Sequence, residues 1–274
     1  MSNKSSTLSP KYAKKKRRQF VGRITILGTL ITIILGSAVY SIRVPALRVV
    51  EIKITGVNSV KEDEIKQAIK ETLSGNTGFI FPNDSVFWFS NARVKERLLA
   101  SFPEFSAVES EIEGLNTLAI NVTERKPYAL WCEGAPLEKD SCYFLDKQGF
   151  LFARSPSFSG NIYFYYYGGG MTSATGTPIY KNYLTPGQFE KIDAFMRLAQ
   201  ERGVPVVALE SLSGREYEAR FTLKTEPVSY GRMLFVEKDS YDKTLENLTT
   251  IWKEKKRILS IDLRYGNKVY FKLQ

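Results

Sequence analysis

Residues 24–42 (ITILGTLITIILGSAVYSI) run for 19 residues without a charge. As a helix at about 1.5 Å per residue they reach roughly 28 Å, close to the thickness of a bilayer's hydrocarbon core. Water should reject this stretch, and we read residues 24–44 as a transmembrane helix. The span separates a short leading tail from about 230 following residues and so decides which solvent they fold in.

The flanking charges orient the span. Lys4, Lys11, Lys14, Lys15, Lys16, Arg17, Arg18 and Arg23 precede it with no acid among them, whereas only Arg43 and Arg48 stand just beyond it. Positive charge stays on the cytoplasmic side, which places residues 1–23 inside the cell and the bulk of the chain outside the plasma membrane. The KKKRR run at 14–18 would also be held by anionic headgroups. A cleavable signal peptide is the rival reading, because Gly36, Ser37 and Ala38 are the small residues a cleavage site uses. Against it, the apolar stretch continues through Val39, Tyr40 and Ile42 to Val44, longer than a signal's apolar region.

Net charge narrows the function classes. The chain carries +10, from 39 Lys and Arg against 29 Asp and Glu. The tail holds 8 of the 39 and none of the 29, so the remainder is 31 minus 29, or +2. A near-neutral ectodomain lacks the electrostatic footprint of a nucleic-acid binder. The chain has no histidine, which removes the usual general base, the Ser-His-Asp arrangement and the commonest zinc ligand. Gly168-Gly169-Gly170 lacks the Gly-Lys-Ser/Thr of a phosphate loop, and residues 168–176 read as a flexible loop. Carboxylate pairs such as Asp63/Glu64 and Glu216/Glu218 read as solvated faces. No catalytic residue, metal site, cofactor or small-molecule substrate is expected. Cys132 and Cys142 flank a polar, turn-like segment between two strand-like runs. A disulfide across a hairpin and a pair of free or buried thiols are both open readings; a disulfide would persist outside the cytoplasm and act as a local staple.

Beyond the span, residues 48–56 alternate apolar and polar to Gly56, as a half-buried strand does. Ser59 and Glu62 fit a capping box for a helix carrying Ile65, Ala68, Ile69 and Leu73 at helical spacing. A second helix is expected over 90–101, stopped by Pro103, then strands over 105–112 and 117–123. This is a β-α-α-β-β unit, 47–124. From residue 125 to 274 short aromatic-rich strands dominate, at 129–132, 142–145, 150–153 and 162–166. Tyr163, Tyr165, Tyr166 and Tyr167 read as a strand covering a core rather than a stacking platform. Thr185-Pro186-Gly187-Gln188 opens a helix with Phe189, Ile192, Phe195 and Ala199 inward and Gly203 at its end. Strands follow near 204–209, 218–223 and 232–237, and a last helix near Ser240 carries Leu245, Leu248 and Trp252 on one face. Gly266-Asn267 reads as a tight hairpin between two alternating runs. The fold class is α+β: a transmembrane helix, a β-α-α-β-β domain, and a mainly antiparallel β domain with two helices.

With no chemistry in view, binding remains. If residues 268–273 form a sheet edge, their free N–H and C=O groups can accept a strand from a partner, with Tyr265 and Tyr270 as anchors. The opposing reading is an edge blunted by Lys268 and Lys272.

Four local patterns, in order, resemble the FtsQ/DivIB family of bacterial division proteins. They are VVEIKITG at 49–56 with Val60 and Glu64-Ile65, LAINVTERKP at 118–127, FLDKQG at 144–149, and IDLRY at 261–265. The resemblance covers the whole chain, basic tail and span included. It implies that 47–124 is a POTRA domain and that the protein is a non-enzymatic scaffold of the septal cell-wall machinery. It implies partners like FtsB/DivIC and FtsL, single-span proteins of the same membrane, one of which adds a strand to the C-terminal edge. The residues expected at that contact are Arg264, Tyr265, Lys268, Val269, Tyr270 and Phe271. The cysteine pair and the glycine loop are not general to the family. An anchored POTRA protein of polypeptide export or envelope assembly is the alternative, disfavoured by a single POTRA copy and the IDLRY ending.

Overall fold

The computed structural model describes residues 10–44, 47–77, 81–86, 89–138, 141–160, 162–169, 171, 177–213, 215–223, 225, 227–254, 257–266 and 268–274. The chain divides into two compact units, one of residues 1–101 with 107–123, the other of 102–106 with 124–274.

The first unit opens with helix α1 (Pro10–Arg43). Its segment Arg17–Ser37 is, among the described residues, the one helix long and apolar enough to cross a membrane. Its Ile and Leu side chains lie bare, as they do on a helix meant for lipid. The hydroxyls of Thr25, Thr29 and Thr32 donate to the carbonyls of Val21, Thr25 and Gly28, one turn back. In hydrocarbon that bond hides a group that would otherwise be unpaired. The chain is thus built as a single-pass membrane protein.

The rest of this unit is β1 (Glu51–Thr55), α2 (Glu62–Leu73), the two-residue strands β2 (Asn76–Thr77) and β3 (Phe81–Pro82), α3 (Asn91–Ser101), β4 (Phe105–Glu113) and β5 (Thr117–Glu124). The sheet order is β1-β5-β4, with β1 parallel to β5 and Ile54 opposite Ile120. Ile65, Ala68, Ile69 and Leu73 of α2, with Val94 and Leu98 of α3, are buried, as are Val108, Leu118, Ile120 and Val122 of the sheet. Gly56 ends β1 at φ +82°, where a Cβ would sit 2.0 Å from the Val122 carbonyl oxygen, so only glycine fits. The expected capping box does not start α2: Lys61 stands at the N-cap with no side-chain cap, two residues after Ser59. The helix instead opens on Glu62, Asp63 and Glu64, which favour its positive N-terminal end.

The second unit holds β6 (Ala129–Cys132), β7 (Cys142–Leu145), β8 (Leu151–Arg154), β9 (Tyr165–Gly168), α4 (Pro186–Glu201), β10 (Val206–Ser211), β11 (Glu216–Thr222), β12 (Tyr230–Val236), α5 (Asp242–Glu254), β13 (Ile258–Asp262) and β14 (Tyr270–Leu273). Nine of these form one sheet, in the order β14-β13-β12-β11-β10-β9-β6-β7-β8. Three neighbour pairs are parallel, β6-β9, β9-β10 and β12-β13, and the others antiparallel. Both helices pack on one face, where Phe189, Ile192 and Phe195 of α4 and Leu245 and Leu248 of α5 share a core with Trp131, Tyr166, Phe221, Phe235 and Ile261. At the β6-β9 end the opposite face is covered too, by a cluster of Leu130, Cys132, Cys142, Tyr165, Tyr167 and Ala208.

Several expectations shift. The aromatic strand begins at Tyr165, three residues later than read, and Tyr165, Tyr166 and Tyr167 are all buried. Gly168 belongs to that strand, at φ +72° with a Cβ position 2.3 Å from the Ser211 carbonyl oxygen. Of the loop read over 168–176, residues 170 and 172–176 lie outside the described residues. Thr185 is the N-cap of α4, but its hydroxyl donates to the Gln188 side chain rather than engaging a backbone N–H. The end of α4 is as expected: Gly203 at φ +93° lets Val204 N–H reach the Ala199 carbonyl and its own N–H reach that of Gln200. Glu218 is buried rather than solvated and lies 2.6 Å from Arg220.

Two of the family patterns meet inside this unit. Asp146, buried, accepts N–H bonds from Gln148 and Phe150, which closes the turn. Its other oxygen pairs with Arg125, whose guanidinium also donates to the Pro103 carbonyl and lies 4.1 Å over the Phe150 ring. A buried carboxylate needs such a partner.

Candidate partner-binding edge

β14 is the outermost strand of the nine-stranded sheet. It pairs antiparallel with β13, Phe271 opposite Ile261 and Tyr270 opposite Asp262. All four of its residues are exposed, Tyr270 at 52%, Phe271 at 38% and Leu273 at 46%. The far edge of the same sheet is closed by the chain itself. There Leu151 N–H donates to the Lys181 carbonyl, and Tyr180 N–H donates to that of Leu151. Among the described residues, nothing pairs with the outer side of β14 in that way.

The connection into β14 is not a two-residue hairpin, and Asn267 lies outside the described residues. β13 ends at Asp262 and β14 begins at Tyr270, so residues 263–269 bridge them. Leu263 is buried and its N–H donates to the Leu234 carbonyl, which keeps the chain on the core after β13 ends. Lys238 then fastens the loop: its ammonium donates to the carbonyls of Leu263 and Gly266 and to the Thr244 hydroxyl. Burial pushes the Lys238 ammonium below its ordinary range, and three acceptors offset that loss of water.

Arg264 is half-buried and already committed. Its Nε and one amino group donate to Asp262 at 3.0 and 2.7 Å, and the other amino group lies 3.5 Å from Glu216. That hydrogen bond, against the opposing effect of burial, holds the Asp262 carboxyl below the usual carboxylate range. Its guanidinium lies 5.8 Å from the Tyr265 ring. Tyr265 meets Tyr270 edge to face, with ring centres 5.6 Å apart. Lys268 is exposed and its N–H donates to the Tyr265 carbonyl. Val269 is half-buried and packs against the main core, unlike its neighbours. The structure therefore brings Arg264, Tyr265, Tyr270 and Phe271 to one corner, with Val269 as its root. Reading the sequence missed Leu273, exposed on the same strand, and Arg232 of β12. The alternation Arg232, Met233, Leu234, Phe235 with Met233 and Phe235 inward would have found Arg232.

Cys132 and Cys142 are joined by a disulfide and stand opposite each other in the β6-β7 register. The bond belongs to the cluster on the helix-free face, away from this edge in the strand order.

Residues 47–125 match the family model described as POTRA domain, FtsQ-type. No curated protein matches the chain. The matched segment holds the β1-β5-β4 sheet with α2 and α3, and α1 precedes it. The chain is a division-related membrane protein that carries an FtsQ-type POTRA domain behind an apolar N-terminal helix, a build consistent with the FtsQ/DivIB family.

Proposed function

We propose that the protein is a non-enzymatic divisome scaffold at the septum, holding FtsB/DivIC-like and FtsL-like partners through β14 and the residues beside it. The observation that carries this reading is the unpaired, doubly exposed edge of β14. A sheet edge offers main-chain bonds to any extended segment, and the exposed Tyr265, Tyr270, Phe271 and Leu273 supply side-chain contact. β14 is short and carries Lys272, both of which blunt an edge, so the support for a partner comes from the exposed aromatic residues that stand beside it. The contact residues in this reading are Arg264, Tyr265, Lys268, Val269, Tyr270 and Phe271.

The tail faces the cytoplasm, and the chain beyond α1 lies outside. The basic run before the span supports this orientation, and so does the disulfide, which reducing cytosol would not maintain. Confinement of the partners to one membrane raises their effective concentration, so a modest strand-pairing surface suffices.

A crosslinking pull-down from the native membrane tests the reading. The parent chain captures an FtsB/DivIC-like protein; Tyr270→Lys loses it and melts at the parent's temperature. Equal capture by the variant refutes the edge. Tyr270 is a cleaner site than Val269, because a charge at Val269 also disturbs the core.

A further inference from the structure

The helix-free face of the sheet carries an unbalanced row of cations that runs into the β14 edge. By register, Ala208, Arg220, Arg232, Ser260 and Lys272 stand side by side on β10, β11, β12, β13 and β14. The neighbouring row holds Glu210, Glu218, Leu234, Asp262 and Tyr270. The acids near the edge are spoken for: Glu218 by Arg220, and Asp262 and Glu216 by Arg264. Arg232 and Lys272 are exposed and enter no ion pair among the described residues. They flank Ser260, two strand spacings or roughly 10 Å apart. Between them lies a groove of about 270 Å³ lined by Arg232, Leu234, Ser260, Asp262, Tyr270 and Lys272.

We propose that Arg232 and Lys272 select an acidic partner segment: a strand added to β14 places a carboxylate side chain at the end of their row, beside Lys272. This rests on the edge reading above and names the chemistry of its occupant. A strand beside β14 lies roughly 4.8 Å from it, and its side chains on this face fall next to Lys272, three strand spacings or roughly 14 Å from β12, so Arg232 acts on them through its field rather than by contact. Two cations flanking Ser260 leave this face positive at the edge, and a carboxylate beside Lys272 offsets the field of both. A partner with lysine at that position is rejected, so the row sets register as well as identity.

The test uses the full chain in nanodiscs and the co-expressed, purified FtsB/DivIC-like protein, with affinity measured from 0.05 to 0.5 M salt. Arg232→Glu/Lys272→Glu weakens binding about tenfold at low salt, and the gap closes toward twofold at high salt as the charges are screened. Changing one partner carboxylate to lysine restores binding to this double variant and not to the parent. Binding within twofold of the parent at every salt concentration, while Tyr270→Lys abolishes it, overturns the acidic-row inference and leaves the edge reading standing. No binding by the parent itself overturns the edge reading and this inference with it.

Discussion

β9 and β14 are both four-residue aromatic strands of one sheet, and they end in opposite states. In β9, Tyr165, Tyr166 and Tyr167 are all buried, whereas in β14 every residue is exposed. Composition does not separate them; position does. β9 lies between β6 and β10, with the helix core beneath Tyr166 and a second cluster over Tyr165 and Tyr167. Among the described residues, β14 has a strand neighbour on one side only, and all four of its residues stay exposed. An aromatic strand is therefore a core piece where both faces are covered and a contact surface where neither is.

Each prediction below pushes on that contrast, measured as thermal or urea unfolding of the purified full chain. Tyr166→Ala should cost about 3–5 kcal/mol, the toll of a cavity under a fully buried ring, and it also strips a hydrogen-bond donor from Asp193. Replacing Cys132 and Cys142 with serine, a change under the same strand, should cost about 2–4 kcal/mol, with the parent showing a comparable loss in reductant.

Alkaline pH separates the two regions without a mutation. Burial is the first cause that raises the hydroxyls of Tyr128, Tyr167 and Tyr241, each to about 12, with the Asp193 carboxylate adding to it at Tyr128. Their folded values exceed the unfolded one near 10, so their stabilisation is full below pH 10 and drains away as pH rises to 12. Melting temperature should fall across that window, and less steeply in Tyr241→Phe. The smallest effect belongs to Tyr270→Lys, within about 0.5 kcal/mol of the parent, as for surface changes generally. A large loss there would mean that β14 is core after all.

Much of the first unit was legible, because its elements are amphipathic on their own. Ile65, Ala68, Ile69 and Leu73 mark the inner face of α2 by spacing, and the helix buries them. Its start was misread because Ser59 and Glu62 have capping spacing, but spacing does not say whether the intervening residues are helical. In the second unit the strands were found and their bounds slipped. The run from Tyr163 to Tyr167 has no alternation to fix its start, since a strand buried on both faces shows none. At the candidate edge, the exposure of Lys268, Tyr270 and Lys272 follows from alternation, but Tyr265 and Phe271 as exposed residues and Val269 as a root do not. Phe271 points to the helix side, and only the absence of a helix beyond Ile261 leaves it bare.

Sequence alone determined the span, the surplus of positive charge before it, the lack of histidine chemistry and the order of elements, because each depends on residues close together in the chain. Tertiary structure decided which strand lies outermost, that Arg264 is committed while Arg232 and Lys272 enter no ion pair among the described residues, and that Cys132 meets Cys142. Those facts depend on pairing between distant segments, where side-chain period fixes the face of each strand but nothing local fixes its neighbour.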